Sequence, residues 1–320
     1  MPTATDPTES GDADATDSVD GDPIDHAGDG DPIDRAGVAA SARYLLKLSR
    51  PRFWLYLAGP ILVGVAFGAA NVAELFALEN VLLFGYFLLP ANLFLYGVND
   101  VFDRDVDEEN PKKDGREVRY GGDRLVPAVV VASLVLGAGT FAITPPAAWP
   151  FLAGFFLLGV EYSAPPLRFK TTPLLDSLSN GLYVLPGAAA YALVAGAAPP
   201  AAALAGAWLW AMGMHTFSAI PDIEPDRAAG IRTTATALGE SRTLAYCAGC
   251  WLAAAGAFAA VDPRIGAVLL AYPALVGAIR LAGVAVDRAY WWFPAINTAV
   301  GAVLTMGALT RIVPPEAVLP

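Results

Sequence analysis

The chain has 320 residues, of which 55% are hydrophobic and only 16% are charged. Soluble domains usually contain roughly 45–50% apolar and about 25% charged residues, so the composition argues against a soluble globular protein. The net charge of −11 belongs mainly to one end, because residues 1–36 contain eleven of the 31 acidic residues and one base, Arg35. The rest of the chain is nearly neutral.

Residues 1–40 are predicted to form a disordered acidic tail. They contain few large apolar residues, so burial cannot offset the chain entropy that folding would remove. The stretch lacks the basic and apolar regions of a signal peptide. We interpret it as a cytoplasmic tail, typical of a halophilic host, and place a single membrane domain at residues 41–320.

Nine apolar blocks follow the tail, and a membrane-spanning helix needs about 20 such residues. The blocks cover residues 53–70, 81–98, 125–143, 146–160, 174–195, 201–219, 243–260, 265–285 and 291–311. The sequence therefore predicts an all-α integral membrane protein with about nine transmembrane helices.

The basic residues predict the orientation of these helices. Loops rich in Lys and Arg stay on the cytoplasmic side, and with nine spans the basic segments before block one and after blocks two, four and six share one side. The opposite loops at residues 144–146, 196–200 and 261–264 are short and contain one base between them, Arg264. We expect a multi-pass protein of the cell membrane whose N-terminus and long polar loops face the cytoplasm.

Two Asp clusters lie on that side. Asn99, Asp103 and Asp107 are spaced by four, which aligns them on one face of a helix, and Asp222 and Asp226 repeat the spacing after block six. Stacked carboxylates repel one another, and Mg²⁺ relieves that repulsion while it binds substrate phosphates. One cluster alone would be an ordinary solvated helix end, but two clusters on one side predict a magnesium site.

Residues 162–170, between the clusters, combine a Pro-Pro pair with Arg168 and Lys170. Proline ends a helix, and guanidinium and ammonium groups bind phosphate oxygens. Either base alone could be a cytoplasmic membrane anchor. Together with the Asp clusters, they indicate a site that ionises a diphosphate ester and leaves a carbocation in an apolar, aromatic cavity that excludes water.

These motifs resemble those of the UbiA superfamily of intramembrane prenyltransferases. The resemblance spans roughly residues 40–311 and rests on NxxxDxxxD at residues 99–107, DxxxD at residues 222–226 and the Tyr-Ser-x-Pro-Pro loop that begins at Tyr162. It implies nine helices around a central cavity. The implied Mg²⁺ ligands are Asp103, Asp107, Asp222 and Asp226, and the implied diphosphate ligands are Asn99, Arg104, Tyr162, Arg168 and Lys170.

Around the second motif, the chain is similar to the haloarchaeal lycopene elongases of that superfamily, although it lacks the Arg-Pro-rich stretch that many members have after the first motif. This similarity implies transfer of a C5 prenyl group from dimethylallyl diphosphate to the ends of lycopene, with or without hydration, on the route to C50 carotenoids. Membrane lipids are expected partners and nucleic acid is not. His215 is a candidate for the base that quenches the final cation, and a packing role is its alternative.

Other functions fit part of the sequence. A family member that prenylates a quinone precursor or an archaeal glycerol ether lipid would share every motif residue. A transporter is disfavoured, because transporters place functional charges near the membrane midplane and the apolar blocks lack central acidic residues. A scaffold without activity is disfavoured because no motif residue is missing. Cys247 and Cys250 lie inside an apolar block, so we interpret them as packing residues.

Overall fold

The described part of the chain consists of helices and connecting turns. The computed structural model of the protein describes residues 35–107, 120, 122 and 124–313, and at residues 35, 36, 38 and 104–107 it describes the backbone alone. No β-strand occurs among these residues. The α-helices of the first half are α1 (Arg35–Leu48), α2 (Trp54–Gly68), α3 (Val72–Leu75), α4 (Leu78–Leu88), α5 (Pro90–Asp107), α6 (Leu125–Ala142) and α7 (Trp149–Glu161).

The second half continues with shorter pieces between the long helices. Its α-helices are α8 (Leu175–Ser179), α9 (Leu185–Ala195), α10 (Ala201–Ser218), α11 (Ile223–Ala228), α12 (Thr234–Leu238), α13 (Glu240–Ala259), α14 (Pro263–Leu269), α15 (Ala271–Ala282), α16 (Val286–Tyr290) and α17 (Phe293–Leu309). The 3-10 turns are Pro51–Phe53, Phe169–Thr171, Asn180–Val184 and Ile220–Asp222.

Each predicted apolar block coincides with one helix or with consecutive helices, which confirms the all-α membrane class. Three blocks are interrupted, between α4 and α5, between α8 and α9, and between α14 and α15. Within the described residues, five helical segments are long and apolar enough to cross a membrane, and α7 and α17 are shorter apolar helices. The count of nine spans therefore stays a prediction.

The surface is that of a membrane protein. Many large apolar side chains are exposed on the surface. Examples are Phe76, Val135 and Leu281, which are 75%, 67% and 92% exposed. Soluble monomers rarely expose contiguous apolar surface on this scale, whereas lipid tails solvate it. With its apolar helices, the chain is a multi-pass membrane protein.

Glycines let the helices around the site approach one another closely. A Cβ added at Gly64 of α2 would lie 2.1 Å from the carbonyl oxygen of Gly187 in α9, and one added at Gly187 would lie 2.6 Å from the carbonyl oxygen of Pro60. Small residues at such crossings are how helices associate in membranes, where no hydrophobic force drives them together. This contact fixes α2 against α9.

The buried apolar residues from Ser41 onward form two clusters within one compact unit. The first is built on α2, α4, α5, α7 and α9, and the second on α10, α13, α15 and α17. Cys247 packs in the second cluster, and both cysteines are buried and free of disulfides, as a packing role requires. Residues 1–34 lie outside the described residues, so the disordered tail and its boundary stay predictions.

Candidate active site

A cavity of about 210 Å³ lies among α2, α5 and α10. Seven of its fourteen lining residues are aromatic, so half of the residues around the cavity present ring surfaces to it. Ring faces attract cations, and an aromatic wall also excludes water. The aromatic residues are Phe53, Tyr56, Tyr96, Tyr162, Tyr183, Trp210 and Tyr290, and the polar or charged ones are Arg50, Asn99, Asn180, His215 and Ser218.

The first Asp motif begins at this cavity, and the second begins four residues after a residue that lines it. Asn99 of α5 and Ser218 at the end of α10 line it. Asp103 follows Asn99 by about one helical turn, and Asp222 follows Ser218 by four residues, in the turn Ile220–Asp222. Of the ten predicted site residues, three line the cavity: Asn99, Tyr162 and His215.

The first motif lies on a helix and not in a loop after one. The apolar pattern ends near residue 98, but α5 continues to Asp107, so Asn99, Asp103 and Asp107 share the predicted helical face. The helix continues past the apolar block because other segments cover its polar end, as the contacts of Asp100 and Asp103 show. The side chains of Arg104 and Asp107 lie outside the described residues, and their roles stay predictions.

Asp103 is the meeting point of the first motif and the basic loop. It is 8% exposed and accepts hydrogen bonds from Arg168 Nη2, at 3.2 Å, and from Lys170 Nζ. Burial lowers the pKa of Lys170 to about 8, and the carboxylate of Asp100 opposes this shift. The amine is therefore still mostly protonated at neutral pH, and two cations surround one carboxylate.

The backbone of residues 162–170 sets this arrangement. Helix α7 ends at Glu161, as the Pro-Pro pair predicts, and Lys170 N then donates to Tyr162 O at 3.1 Å. Arg168 has a φ of 41°, a left-handed conformation that costs about 1–3 kcal/mol for a residue other than glycine. The contacts of its guanidinium with Asp103 and with Phe102 O, both at 3.2 Å, help to hold it there.

Asn99 and Tyr162 connect this loop to α5 and α10. The amide nitrogen of Asn99 donates to Ser163 Oγ at 3.1 Å, so its carbonyl oxygen is the atom that remains for a cation or a donor. The ring of Tyr162 packs edge-on against His215, with 5.9 Å between centroids. The loop therefore contributes to the cavity wall as well as to the cationic cluster.

The second motif lies outside the lining of the cavity. Asp222 and Asp226 do not line the cavity. Among the side chains that the structure describes, no three His, Cys, Asp or Glu residues lie close enough to form a metal site. The described geometry therefore does not test the four-Asp magnesium site, to which Asp107 would also belong.

An ion pair about one helical turn before Asp103 on α5 was not predicted. Asp100 is 2% exposed and accepts a hydrogen bond from Arg50 Nη2 at 3.4 Å. The guanidinium of Arg50 also lies 4.5 Å from the centroid of the Tyr96 ring, and it lines the cavity. In the sequence, Arg50 is one of several bases before the first block, and nothing there distinguishes it from a membrane anchor.

A second unpredicted contact anchors the segment after the second motif. Asp176 of α8 is fully buried and accepts hydrogen bonds from Thr234 N, at 2.9 Å, and from Thr234 Oγ1. That hydroxyl in turn accepts from Leu174 N at 2.7 Å. Thr233 caps α12 through a reciprocal bond with Thr236. The segment from Asp222 to Thr234 is thus held at both ends, by α10 and by α8.

The chain belongs to the UbiA prenyltransferase family, whose family model matches residues 57–308. This confirms the family that the motifs indicated. Two similar relatives are haloarchaeal proteins named lycopene elongase/hydratase. The one from Haloferax volcanii is 70% identical over 84% of this chain and 90% of its own. The one from Haloarcula japonica is 61% identical over 83% and 91%.

Solved structures show the same fold. A UbiA homologue from Archaeoglobus fulgidus, solved with bound GPP and Mg²⁺, is 24% identical and covers 82% of this chain and 99% of its own, with a TM-score of 0.65. An apo UbiA homologue from Aeropyrum pernix is 20% identical over 81% and 98%, with a TM-score of 0.62. At these identities, the likeness establishes the fold alone.

Proposed function

We propose that the protein transfers a five-carbon prenyl group from dimethylallyl diphosphate to the ends of lycopene, in a Mg²⁺-dependent reaction on the route to C50 carotenoids. The observation that supports the reaction type is an aromatic cavity that Asn99 of the first Asp motif lines and that ends, on α10, at Ser218, four residues before the second motif. The names and identities of the two haloarchaeal relatives support the substrates.

The donor atoms present suit magnesium. Mg²⁺ prefers hard oxygen ligands, usually a few carboxylates together with substrate phosphates. Such atoms are provided by Asp103 and the carbonyl oxygen of Asn99, and by Asp222 and Asp226, which lie four and eight residues after the cavity-lining Ser218. Asp107 extends the stripe on α5. A bound Mg²⁺ would neutralise the charge that develops on the leaving diphosphate.

The basic loop would hold the other side of that diphosphate. Arg168 and Lys170 meet at Asp103, so a diphosphate bound to the Asp103 site would also contact both cations. Arg50 and Tyr162 line the adjoining cavity and can donate to the same anion. These charges are in place before the C–O bond breaks, which is the condition under which they stabilise the transition state most effectively. Arg104 is assigned to the same group.

The size of the cavity favours a short donor. Pockets that bury a drug-sized ligand measure roughly 300–1,000 Å³, and this one measures about 210 Å³. A five-carbon prenyl group fits that space better than the twenty-carbon donor of a glycerol ether lipid enzyme. The aromatic wall would stabilise the dimethylallyl cation and exclude water while the C–C bond forms.

His215 would complete the reaction. The terminal alkene of lycopene attacks the allylic cation without prior deprotonation and becomes a tertiary cation itself. That cation is neutralised when it loses a proton. Arg50 is always protonated and cannot accept one, and no Asp or Glu is among the described lining residues. We assign the proton to His215, whose ring packs edge-on against Tyr162.

The test is a reaction of the purified protein in lipid with dimethylallyl diphosphate, Mg²⁺ and lycopene, read by mass spectrometry. Parallel reactions replace the donor with geranylgeranyl diphosphate or the acceptor with a quinone precursor or glycerol ether lipid. Products heavier than lycopene by one or two five-carbon units, lost on chelation, would support the proposal.

Two results would overturn it in different ways. Prenylation of the quinone precursor or ether lipid, without product from lycopene, would keep the reaction type and replace the acceptor. Full elongation of lycopene in the presence of a chelator would remove magnesium from the mechanism.

A further inference from the structure

The cavity reaches farthest from the Asp motifs along α10. Five residues of this helix line it, on three successive turns: Trp210, Ala211, Met214, His215 and Ser218. Residues three or four apart share one face of a helix. Trp210 lies eight residues before Ser218 in α10, which is about 12 Å along the helix axis. A prenyl chain whose diphosphate lies at the motifs would therefore extend along this face of α10 toward Trp210.

On the other walls, the lining residue farthest from the motifs is a tyrosine. It is Tyr56 on α2, Tyr96 on α5 and Tyr183 in the 3-10 turn before α9. The rings of Tyr56 and Tyr183 meet edge-on, with 6.3 Å between their centroids. Bulky rings thus end three of the walls, and a donor chain has its greatest depth along the fourth, α10.

Trp210 ends the cavity on α10, and the residues behind it hold it in place. Among the described residues of α10, none before Trp210 lines the cavity. The Trp210 ring packs edge-on against Tyr272, with 5.9 Å between centroids, and its backbone oxygen accepts a hydrogen bond from Trp251 Nε1 at 3.1 Å. Tyr272 and Trp251 are both buried in the second apolar cluster. The indole therefore stands as a block between the cavity and that cluster.

We propose that Trp210 sets the length of the prenyl donor, because its indole blocks the path along α10 of a chain longer than five carbons. This inference rests on the proposed function and names the residue behind its donor preference. The reacting bonds are the same for any donor length: the allylic C–O bond breaks, diphosphate leaves, the C–C bond forms and one proton is lost. Donors differ only in the space they need beyond the first five carbons.

The test is a competition between two donors in one reaction. The wild type and each variant receive lycopene, Mg²⁺ and equal amounts of ¹³C-labelled dimethylallyl diphosphate and unlabelled geranyl diphosphate. The label is needed because one ten-carbon transfer and two five-carbon transfers otherwise give products of the same mass. The ratio of the two products does not depend on how much protein folds, so a destabilised variant still gives an answer.

Two variants enlarge the cavity to different extents. Trp210→Ala removes the whole indole, and Trp210→Leu keeps an apolar side chain against Tyr272. The matched control is Trp292→Ala, because Trp292 is 67% exposed and does not line the cavity.

The expected ratios follow from the lack of space. A hydrophobic pocket discriminates by about 10–200-fold for a single methylene, so in the wild type we expect ten-carbon transfer at about a hundredth of five-carbon transfer or less. The ratio of ten- to five-carbon transfer should rise by about tenfold or more in Trp210→Ala and by less in Trp210→Leu. Trp292→Ala should keep the wild-type ratio.

Three other outcomes would overturn the inference or its basis. A wild type that transfers the ten-carbon group as readily as the five-carbon group, or Trp210 variants that keep the wild-type ratio, would overturn it and leave the reaction itself intact. Slower transfer from both donors at a constant ratio would show that Trp210 contacts the acceptor, and this would also overturn it. A wild type that elongates lycopene with neither donor would remove the proposed function and the inference with it.

Discussion

At the scale of single residues, Asp103 has the most consequential environment. Burying a carboxylate costs several kcal/mol of desolvation free energy, which paired cations can offset. Here Arg168 and Lys170 pair with Asp103. In the proposed reaction, Asp103 would hold the metal, and Arg168 and Lys170 would contact the diphosphate bound to it. The stability of the loop and the chemistry of the site therefore depend on one cluster of charges.

Replacing Asp103 or Asp222 should reduce catalysis without preventing the protein from folding. We expect Asp103→Asn and Asp222→Asn to lower turnover by about a hundredfold or more, because each removes charge that organises the leaving group. Both proteins should still insert into the membrane. Asp262→Asn is the control, since Asp262 caps α14 away from the cavity and Asn caps a helix equally well. Full Mg²⁺-dependent activity in both site variants would contradict the two-motif mechanism.

Asp176 should act on the site through Thr234. Hydrogen bonds to a charged group contribute about 1.5–3 kcal/mol, and Asp176 receives two from Thr234. Asp176→Asn and Thr234→Val should each lower the melting temperature in detergent and raise KM for the prenyl diphosphate.

The two changes should not add in the double variant, because they remove the same contact. Thr234→Ser keeps the hydroxyl and serves as the control. Additive losses would show that Asp176 and Thr234 act separately.

At the scale of helices, the contact of α2 with α9 brings Tyr56 and the Asn180–Val184 turn to the cavity. Gly64→Ala places a Cβ 2.1 Å from a carbonyl oxygen of the facing helix, so the two helices must separate. The close packing that holds them together is then lost. We expect reduced thermal stability and reduced activity.

Gly59→Ala, in the same helix, is the matched control. Its added Cβ would meet nothing closer than 3.9 Å, within its own helix, and Ala has a helix propensity about 1 kcal/mol better than Gly. Its melting temperature should therefore stay the same or rise. Equal losses in both variants would argue against the close α2–α9 contact.

At the scale of the whole molecule, the orientation in the membrane is the main open prediction. In a protein with Cys247 and Cys250 replaced by Ala, single cysteines at the exposed positions Glu240 and Ala198 should react from opposite sides. An impermeant thiol reagent added outside intact cells should label position 198 and not position 240. The reverse pattern would place the basic loops outside the cell, against the rule that retains them in the cytoplasm.

The sequence by itself determined the class of fold, the family and the residues of both Asp motifs. These follow from local features: block length, spacing of four and a Pro-Pro stop all depend on near neighbours in the chain. It did not determine that Asp100 pairs with Arg50 or that Asp176 holds Thr234.

Only the tertiary structure decided these pairings, because their members are 50 or more residues apart. In a membrane protein, apolar composition is nearly uniform along the helices, so periodicity says little about which side chain faces which helix. Close packing at small residues such as Gly64 and Gly187 sets those faces. The cavity is a consequence of that packing.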